Sequence, residues 1–335
     1  MAGFVRLSGL DAVPDALRGA VVAIGNFDGF HLGHQSIIAA LKARARAANK
    51  PAIVLTFEPH PRDVLAPQPF MFRLTDGNAK ARLAEALGLD GIVILPFDRA
   101  FSLLEAEEFV RRFLVEGINA SGIIIGQDFH FGRARRGTPN FLREQLAPGG
   151  CTVDVLELML QGGEPISSSR IRAALAAGEL DQANRLLGYH WFIEGEVVHG
   201  DQRGRELGFP TANLSEPVGF GLTQGVYAVR GLLDGQLFDG VASYGKPMFG
   251  DERPPFETYF FDFSRDIYGR HLTIAMISHI RGQKMFRGLE ELIAAIRADG
   301  RESQGILAEA PPLGELDMRL GFFKPAEFVP LPDGE

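Results

Sequence analysis

The stretch Gly25-Asn-Phe-Asp-Gly-Phe-His-Leu-Gly-His34 joins an apolar run, Ala20-Val-Val-Ala-Ile24, to residues 35–48, where Ile37, Ile38, Leu41 and Ala45 recur at helical spacing. A buried strand that turns through glycines straight into an amphipathic helix is the opening unit of an α/β fold. Outward from it the pattern repeats. Ala52-Ile-Val-Leu-Thr-Phe57, Gly91-Ile-Val-Ile-Leu95 and Gly122-Ile-Ile-Ile125 read as strands, and residues 78–87 and 102–116 as the helices between them. Strand and helix in alternation predict a parallel sheet covered by helices on both faces. The polar segments Gly25-Asn-Phe-Asp-Gly29, Glu58-Pro-His-Pro61, Asp98 and Gln127-Asp-Phe-His-Phe-Gly132 each follow a strand. Ligands bind at that edge of open α/β sheets, so these segments are expected to converge on one crevice.

The chain has 335 residues, more than one hydrophobic core usually organises, which predicts two domains. The period changes near Gly188. Beyond it, Phe192-Ile-Glu-Gly-Glu-Val-Val198, Gly225-Val-Tyr-Ala-Val-Arg230, Phe238-Asp-Gly-Val-Ala242, residues 256–263 and Leu272-Thr-Ile-Ala-Met-Ile277 alternate with period two and have no helices between them. This predicts a small antiparallel barrel over 189–335, closed by one helix at 289–299, with a loosely packed tail from Pro311. Residues 1–188 form the other domain.

The net charge of −8 lies wholly in the second half: residues 1–188 carry 20 basic and 20 acidic side chains, residues 189–335 carry 14 and 22. An acidic balance argues against a general polyanion binder, and nucleic acid is not an expected partner. The single cysteine, Cys151, reads as a buried strand residue and allows no intramolecular disulfide. The amino-terminal residues lack a secretory pattern and no apolar run reaches membrane-spanning length, so a cytoplasmic protein with small-molecule partners and no membrane contact is expected.

Glycines 25, 29 and 33 let the loop backbone approach a phosphate, and the following helix start offers free N–H groups and a positive dipole end. His31 and His34, three apart, can face the same ligand there. Read without a ligand, the loop is a tight turn with two solvated histidines. No Gly-x4-Gly-Lys-Ser/Thr occurs. In Ser167-Ser-Ser-Arg170 a serine serves as a helix cap, whereas Arg170 at a helix start opposes the dipole and an anion would relieve it. Asp128 is a loop cap or a ligand contact, with Phe129 and Phe131 able to stack on a planar ring. Arg133, Arg135 and Arg136 are a solvated face or the border of a phosphate site.

In the second half, Gly200-Asp-Gln-Arg-Gly-Arg-Glu-Leu-Gly-Phe-Pro-Thr-Ala-Asn-Leu214 is a glycine-spaced loop running into an extended segment. Gly204 and Gly208 would bring amides to a phosphate or simply shape a barrel loop. Thr211 and Asn213 offer oxygen ligands suited to Mg²⁺, or an edge-strand polar face. In Phe256-Glu-Thr-Tyr-Phe-Phe-Asp-Phe263, alternation sets Glu257 beside Tyr259, Phe261 and Phe263, where a carboxylate suits a general base; a surface glutamate is the alternative.

These motifs carry a resemblance. Residues 25–34, Thr56-Phe-Glu-Pro-His-Pro61, Asp128-Phe-His-Phe-Gly132 and Ile166-Ser-Ser-Ser-Arg-Ile-Arg172 resemble the adenylyltransferase module of the bacterial bifunctional riboflavin kinase/FAD synthetase family. Gly-Phe-Pro-Thr-Ala-Asn213, Gly225-Val-Tyr, Gly240-Val-Ala, Glu257, Phe261-Asp-Phe, Tyr268-Gly, Ile280-Arg281 and Phe286 resemble its kinase module. The resemblance implies a Rossmann-like nucleotidyltransferase domain followed by a riboflavin-kinase-like barrel. It implies that riboflavin is phosphorylated to FMN and that FMN is adenylylated to FAD with release of pyrophosphate. It implies that His31, His34, Ser168 and Arg170 hold ATP phosphates. By the same resemblance Gly25, Asn26, Phe27, Asp28, Gly29, Gly33, His60 and Asp128 would line the crevice. Thr211 and Asn213, with Gly204 and Gly208 in the same stretch, would bind Mg-ATP, and Glu257 would deprotonate the ribityl hydroxyl. Two departures stand out: Ser243-Tyr-Gly-Lys-Pro-Met-Phe249 is one residue shorter than the family pattern with Met248 for Thr, and Gln283 replaces a Glu. An FAD synthetase with an impaired kinase module, or a flavin-sensing regulator without turnover, are the alternatives.

Overall fold

A computed structural model describes residues 3–10, 13–66, 71–199, 209–214, 220–245 and 256–324. Contacts divide the chain into two units, Met1–Ser168 and Ser169–Glu335.

The first unit holds six parallel strands: β1 (Val5–Ser8), β2 (Val21–Ile24), β3 (Ala52–Glu58), β4 (Gly91–Pro96), β5 (Gly122–Gly126) and β6 (Thr152–Leu156), in the order β1-β4-β3-β2-β5-β6. The inner strands are almost continuously buried, as helices on both faces require of a parallel sheet. From β2 the chain runs outward to β3 on one side, and β5 lies on the other. The strand order therefore reverses beside β2, and its carboxyl edge is where a crevice forms.

The polar strand-end residues double as helix caps. His31 caps α1 (Leu32–Ala48), His60 caps α2 (Pro61–Leu65) with Pro61 in its first turn, Asp76 caps α3 (Gly77–Ala86), and Asp98 caps α4 (Arg99–Ser102). The helix expected over 102–116 is broken. After α4, α5 (Ala106–Phe109) runs on as the π-helical segment Val110–Gly117, and the Leu104 carbonyl between them accepts the Arg133 N–H at 2.8 Å. The rings of Phe101, Phe109 and Phe113 meet across this break. Thr138 caps α6 (Pro139–Leu146). Cys151 is buried but precedes β6 rather than lying in it, and burial pushes its thiol up to about 11. A short hairpin follows, β7 (Leu160–Gln161) and β8 (Glu164–Pro165), turning at Gly162 and Gly163, both with positive φ.

Helices α7 (Ser168–Ala177) and α8 (Leu180–Leu187) lead into the second unit. The Asn184 amide donates to the Met276 carbonyl at 3.0 Å and accepts the Trp191 N–H at 2.9 Å; the Thr223 N–H donates to the Leu175 carbonyl. The compact unit thus begins before the change of period at Gly188.

The antiparallel strands β9 (Phe192–Val198), β10 (Ala212–Leu214), β11 (Gly225–Leu233), β12 (Gln236–Tyr244), β13 (Phe256–Phe260) and β14 (His271–Gly282) close in the order β10-β13-β12-β11-β14-β9. The long helix α9 (Leu289–Glu309) lies against it, pinned where Asp299 accepts a two-pronged bond from Arg281 (2.8 and 2.6 Å) and the Ser303 hydroxyl donates to the Gly240 carbonyl. Strand β13 ends at Phe260, so the expected alternation stops there. Asp262 turns the chain with positive φ, and Phe263 packs against Phe238 and Phe260 rather than beside Glu257.

The segment after Pro311 is not loose. Leu316, Leu320, Phe322 and Phe323 are buried, and α10 (Glu315–Arg319) carries Asp317, fully buried. The Asp317 carboxylate accepts the His190 N–H, the Leu313 N–H and a contact from His190 Nδ1, each at 2.8 Å. Arg230 donates to the carbonyls of Phe322 and Leu307, and its guanidinium lies 4.2 Å from the Phe323 ring centre. Proline content suggested mobility, but buried polar partners decide it. Residues 325–335 lie outside the described residues. Replacing Asp317 with Ala strands at least two buried N–H donors, and the expected cost is about 3 kcal/mol. Urea unfolding followed by the single Trp191 measures it, and an unchanged midpoint would show that the latch is dispensable.

Candidate functional site

The β2–α1 loop is built by burial. Phe27 and Phe30 both sit in the left-handed region (φ 46° and 40°), a strained conformation for a bulky residue. They are held there because their rings, at most 1% exposed, stack on one another 5.3 Å apart inside the unit. Asp28, between them, is buried too. Its Oδ1 accepts the N–H groups of Leu74 (2.9 Å) and Thr75 (3.0 Å), while its carbonyl accepts the Ser168 hydroxyl at 2.8 Å. Thr75 returns the contact through its hydroxyl, which accepts the Gly29 N–H. On the other flank the Gly25 N–H donates to the Leu55 carbonyl and the Thr56 hydroxyl to the Asn26 carbonyl, leaving the Asn26 side chain exposed.

With the loop so fixed, His31 and His34 stack, ring centres 3.7 Å apart, at the amino end of α1. His31 Nδ1 accepts the His34 N–H at 3.3 Å, so in that arrangement the His31 proton sits on Nε2. A side chain on Gly33 would press the His31 ring at 3.2 Å, and the absent Cβ lets the imidazole lie over the helix start. The His34 Nδ1 is buried with no hydrogen-bond partner among the described residues. Burial, then the neighbouring His31, then Lys80 hold its imidazole well below the ordinary value of 6.5. Two stacked imidazoles at a helix amino end can bind an anion, and a neutral His34 donates one hydrogen bond without charge repulsion of its neighbour.

The other residues expected for this site are placed as follows. His60 is half-buried, its Nδ1 accepting the Arg62 N–H at 3.1 Å. Asp128 is exposed in the turn after β5. Phe129 and Phe131 do not form an open ring platform: they stack on each other 5.6 Å apart, and Phe131 is buried against Phe109 and Phe141. Arg133 pairs with Glu105, whereas Arg135 and Arg136 are exposed. Arg170 lies in the first turn of α7, two residues after Ser168. Thr56, Thr75 and Lys80, all buried at this edge, were not legible as functional: each sits in an ordinary strand, loop or helix pattern.

In the barrel, Glu257 of β13 is directly opposite Asn213 of β10 on one side and Ser243 of β12 on the other. Directly paired residues share a face, so the three side chains form a row across the wall. Phe256, Thr258 and Phe260 are buried and Glu257 and Tyr259 half-buried, which puts that row on the outer face. Thr211 and Asn213 line a cavity of about 280 Å³ with Phe260, Arg265, Asp266 and Tyr268. The Gln283 side chain donates to the Tyr244 carbonyl at 2.7 Å, tying the end of β14 to the end of β12. Gly204, Gly208 and Met248 lie outside the described residues.

A histidine-bearing helix start where the strand order of a parallel α/β sheet reverses, followed by a barrel with a carboxylate paired to hydroxyl and amide side chains, is the architecture expected of a two-module transferase of nucleotides and phosphate. Comparison agrees. The family model described as FAD synthetase matches residues 13–170, and that described as riboflavin kinase matches residues 187–307. A bifunctional riboflavin kinase/FMN adenylyltransferase of Pseudomonas fluorescens is 39% identical over 87% of this chain and 94% of its own length. The protein of that name from Bacillus subtilis is 36% identical over 85% and 91%. A crystal structure titled as a macrolide-efflux protein of Streptococcus pneumoniae superposes with a TM-score of 0.77 at 29% identity, covering 89% of this chain and 98% of that one. The chain belongs to the bifunctional riboflavin kinase/FMN adenylyltransferase family. Among the described residues no helix is long and apolar enough to cross a membrane.

Because the folded protein holds His34 below its unfolded proton affinity, the unfolded chain binds the extra proton at pH values under about 6.5. Stability contributed by the neutral ring is therefore full above 6.5 and lost as pH falls. The urea midpoint of the wild type is expected to drop more between pH 7.5 and 5.5 than that of His34→Gln; equal drops would mean that His34 is not held neutral.

Proposed function

We propose that the β2–α1 crevice carries the FMN adenylyltransferase activity of this bifunctional enzyme, and that the Asn213–Glu257 row carries its riboflavin kinase activity. The observation that supports this most is the stacked His31–His34 pair at the start of α1, beside the point where the strand order reverses. In the crevice, the loop backbone at Gly25, Asn26, Phe27, Gly29 and Gly33 approaches ATP, with Asp28 holding the loop from inside. His31, His34, Ser168 and Arg170 bind the triphosphate. An FMN phosphate oxygen attacks the α-phosphorus of ATP, the bond to the bridging oxygen breaks, and pyrophosphate leaves. No protein nucleophile is needed, and donors placed where charge accumulates supply the rate. His60 and Asp128 border the flavin.

In the kinase site, Glu257 takes the proton of the ribityl 5′-hydroxyl as its oxygen attacks the γ-phosphorus of ATP, and ADP leaves. Thr211 and Asn213 line one cavity, and Asn213 is paired across the ladder with Glu257; a hydroxyl and a carboxamide oxygen are hard donors, which fits Mg²⁺. Bound there, Mg²⁺ supplies charge neutralisation to the phosphates. Gly204 and Gly208 stand in the same glycine-spaced stretch of sequence. We assign adenylyl transfer to residues 1–188 and phosphorylation to 189–335, supported by family matches that end at 170 and resume at 187. Cytoplasmic residence fits two ATP-consuming steps and a single thiol. Neither a kinase-deficient synthetase nor a non-catalytic regulator draws support from the comparisons.

The test is one product assay with riboflavin, ATP and Mg²⁺. His31→Ala is expected to lower FAD formation by about a hundredfold or more while FMN accumulates. Conversely, Glu257→Gln is expected to cut riboflavin phosphorylation by about 10²–10⁴ while added FMN is still converted to FAD. Loss of both products in either variant would refute separate sites.

A further inference from the structure

Lys80, on α3, is only 1% exposed. Its Nζ donates to the Phe57 carbonyl at 3.0 Å and to Glu58 Oε2 at 3.3 Å, both at the carboxyl end of β3. The other oxygen of Glu58 pairs with Arg73, whose Nε lies 3.7 Å from Asp63; Asp63 accepts the Met71 N–H at 2.8 Å. Two cations and two anions thus bind the segment 71–76 to the ends of β3 and α2. That same segment presents the Leu74 and Thr75 amides to Asp28 and the Thr75 hydroxyl to Gly29, and its last residue, Asp76, caps the helix that carries Lys80. The circuit is closed: α3, β3, segment 71–76 and the histidine loop are each fixed by the next.

Burying an ammonium is costly unless it is paired and hydrogen-bonded, and an apolar side chain of similar length fills the same space at no such cost. We propose that Lys80 is a positioning residue for adenylyl transfer: through Glu58 and Arg73 it sets segment 71–76 at the height where Asp28 holds the loop of His31 and His34. Its charge also acts on the ring of His34. The proposal rests on the assignment of adenylyl transfer to that loop.

The full chain is tested as Lys80→Met, Lys80→Arg, Glu58→Gln and the double variant Lys80→Met/Glu58→Gln, with His31→Ala as control. A misplaced loop is expected to lower kcat for FAD formation by about 10- to 100-fold with KM for ATP little changed. FMN formation stays at the wild-type rate, and Lys80→Arg recovers most of the loss. Because both single changes open one circuit, the double variant is expected to be no slower than the slower single. Should Lys80→Met fail to fold, Glu58→Gln and Lys80→Arg carry the same comparison. Wild-type kcat in Lys80→Met or Glu58→Gln, independent losses that multiply in the double variant, or no recovery in Lys80→Arg overturns the proposal. If His31→Ala itself keeps FAD formation, the site assignment fails instead.

Discussion

A single residue, Asp28, ties the β2–α1 loop to the rest of the first unit. Fully buried, it accepts two backbone amides from a segment more than forty positions later in the chain, while its own carbonyl accepts the Ser168 hydroxyl. A buried carboxylate is tolerated only when its oxygens are occupied, so the loop, segment 71–76 and the start of α7 must come together or not at all. The left-handed Phe27 and Phe30 follow from the same constraint. Their backbone strain persists because ring burial on either side of Asp28 overdetermines the loop.

The second unit uses the same device in another place. Asp317 gathers amides and an imidazole from the start of β9 and the end of the chain, and Arg230 spans carbonyls of α9 and of the segment beyond α10. In both units the long-range ties are charged groups taken out of water and hydrogen-bonded to distant parts of the chain. Apolar packing fills the cores, and these groups specify which loop meets which strand.

How much of this could be read beforehand follows from the range of the forces involved. The α/β alternation, the parallel sheet, the barrel and the glycine loop were legible because periodicity and turn chemistry act over a few residues. His31, His34 and Glu257 could be singled out because a polar residue at a strand end or in an aromatic strand departs from its local pattern. Lys80 could not be, since a lysine on an amphipathic helix looks solvated until the fold supplies Phe57 and Glu58. Edge strand β1, only four residues long and half-exposed, carries too weak a pattern. The ordered segment after Pro311 was misread because its burial comes from Arg230 and His190, far away in sequence. Phe129 and Phe131 were offered as a stacking platform because sequence shows ring chemistry and not which ring is consumed by the core.

The row Ser243, Glu257, Asn213 runs along the direction of the hydrogen bonds between β12, β13 and β10. Its spacing is therefore set by the ladder itself, about 4.8 Å from strand to strand, and owes little to how tightly the interior is filled. Such a site has a ruler made of main chain. Substitutions inside the barrel degrade it gradually, whereas one inserted or deleted residue in β13 shifts the phase of the pleat, turns the carboxylate inward and removes it from the row in a single step.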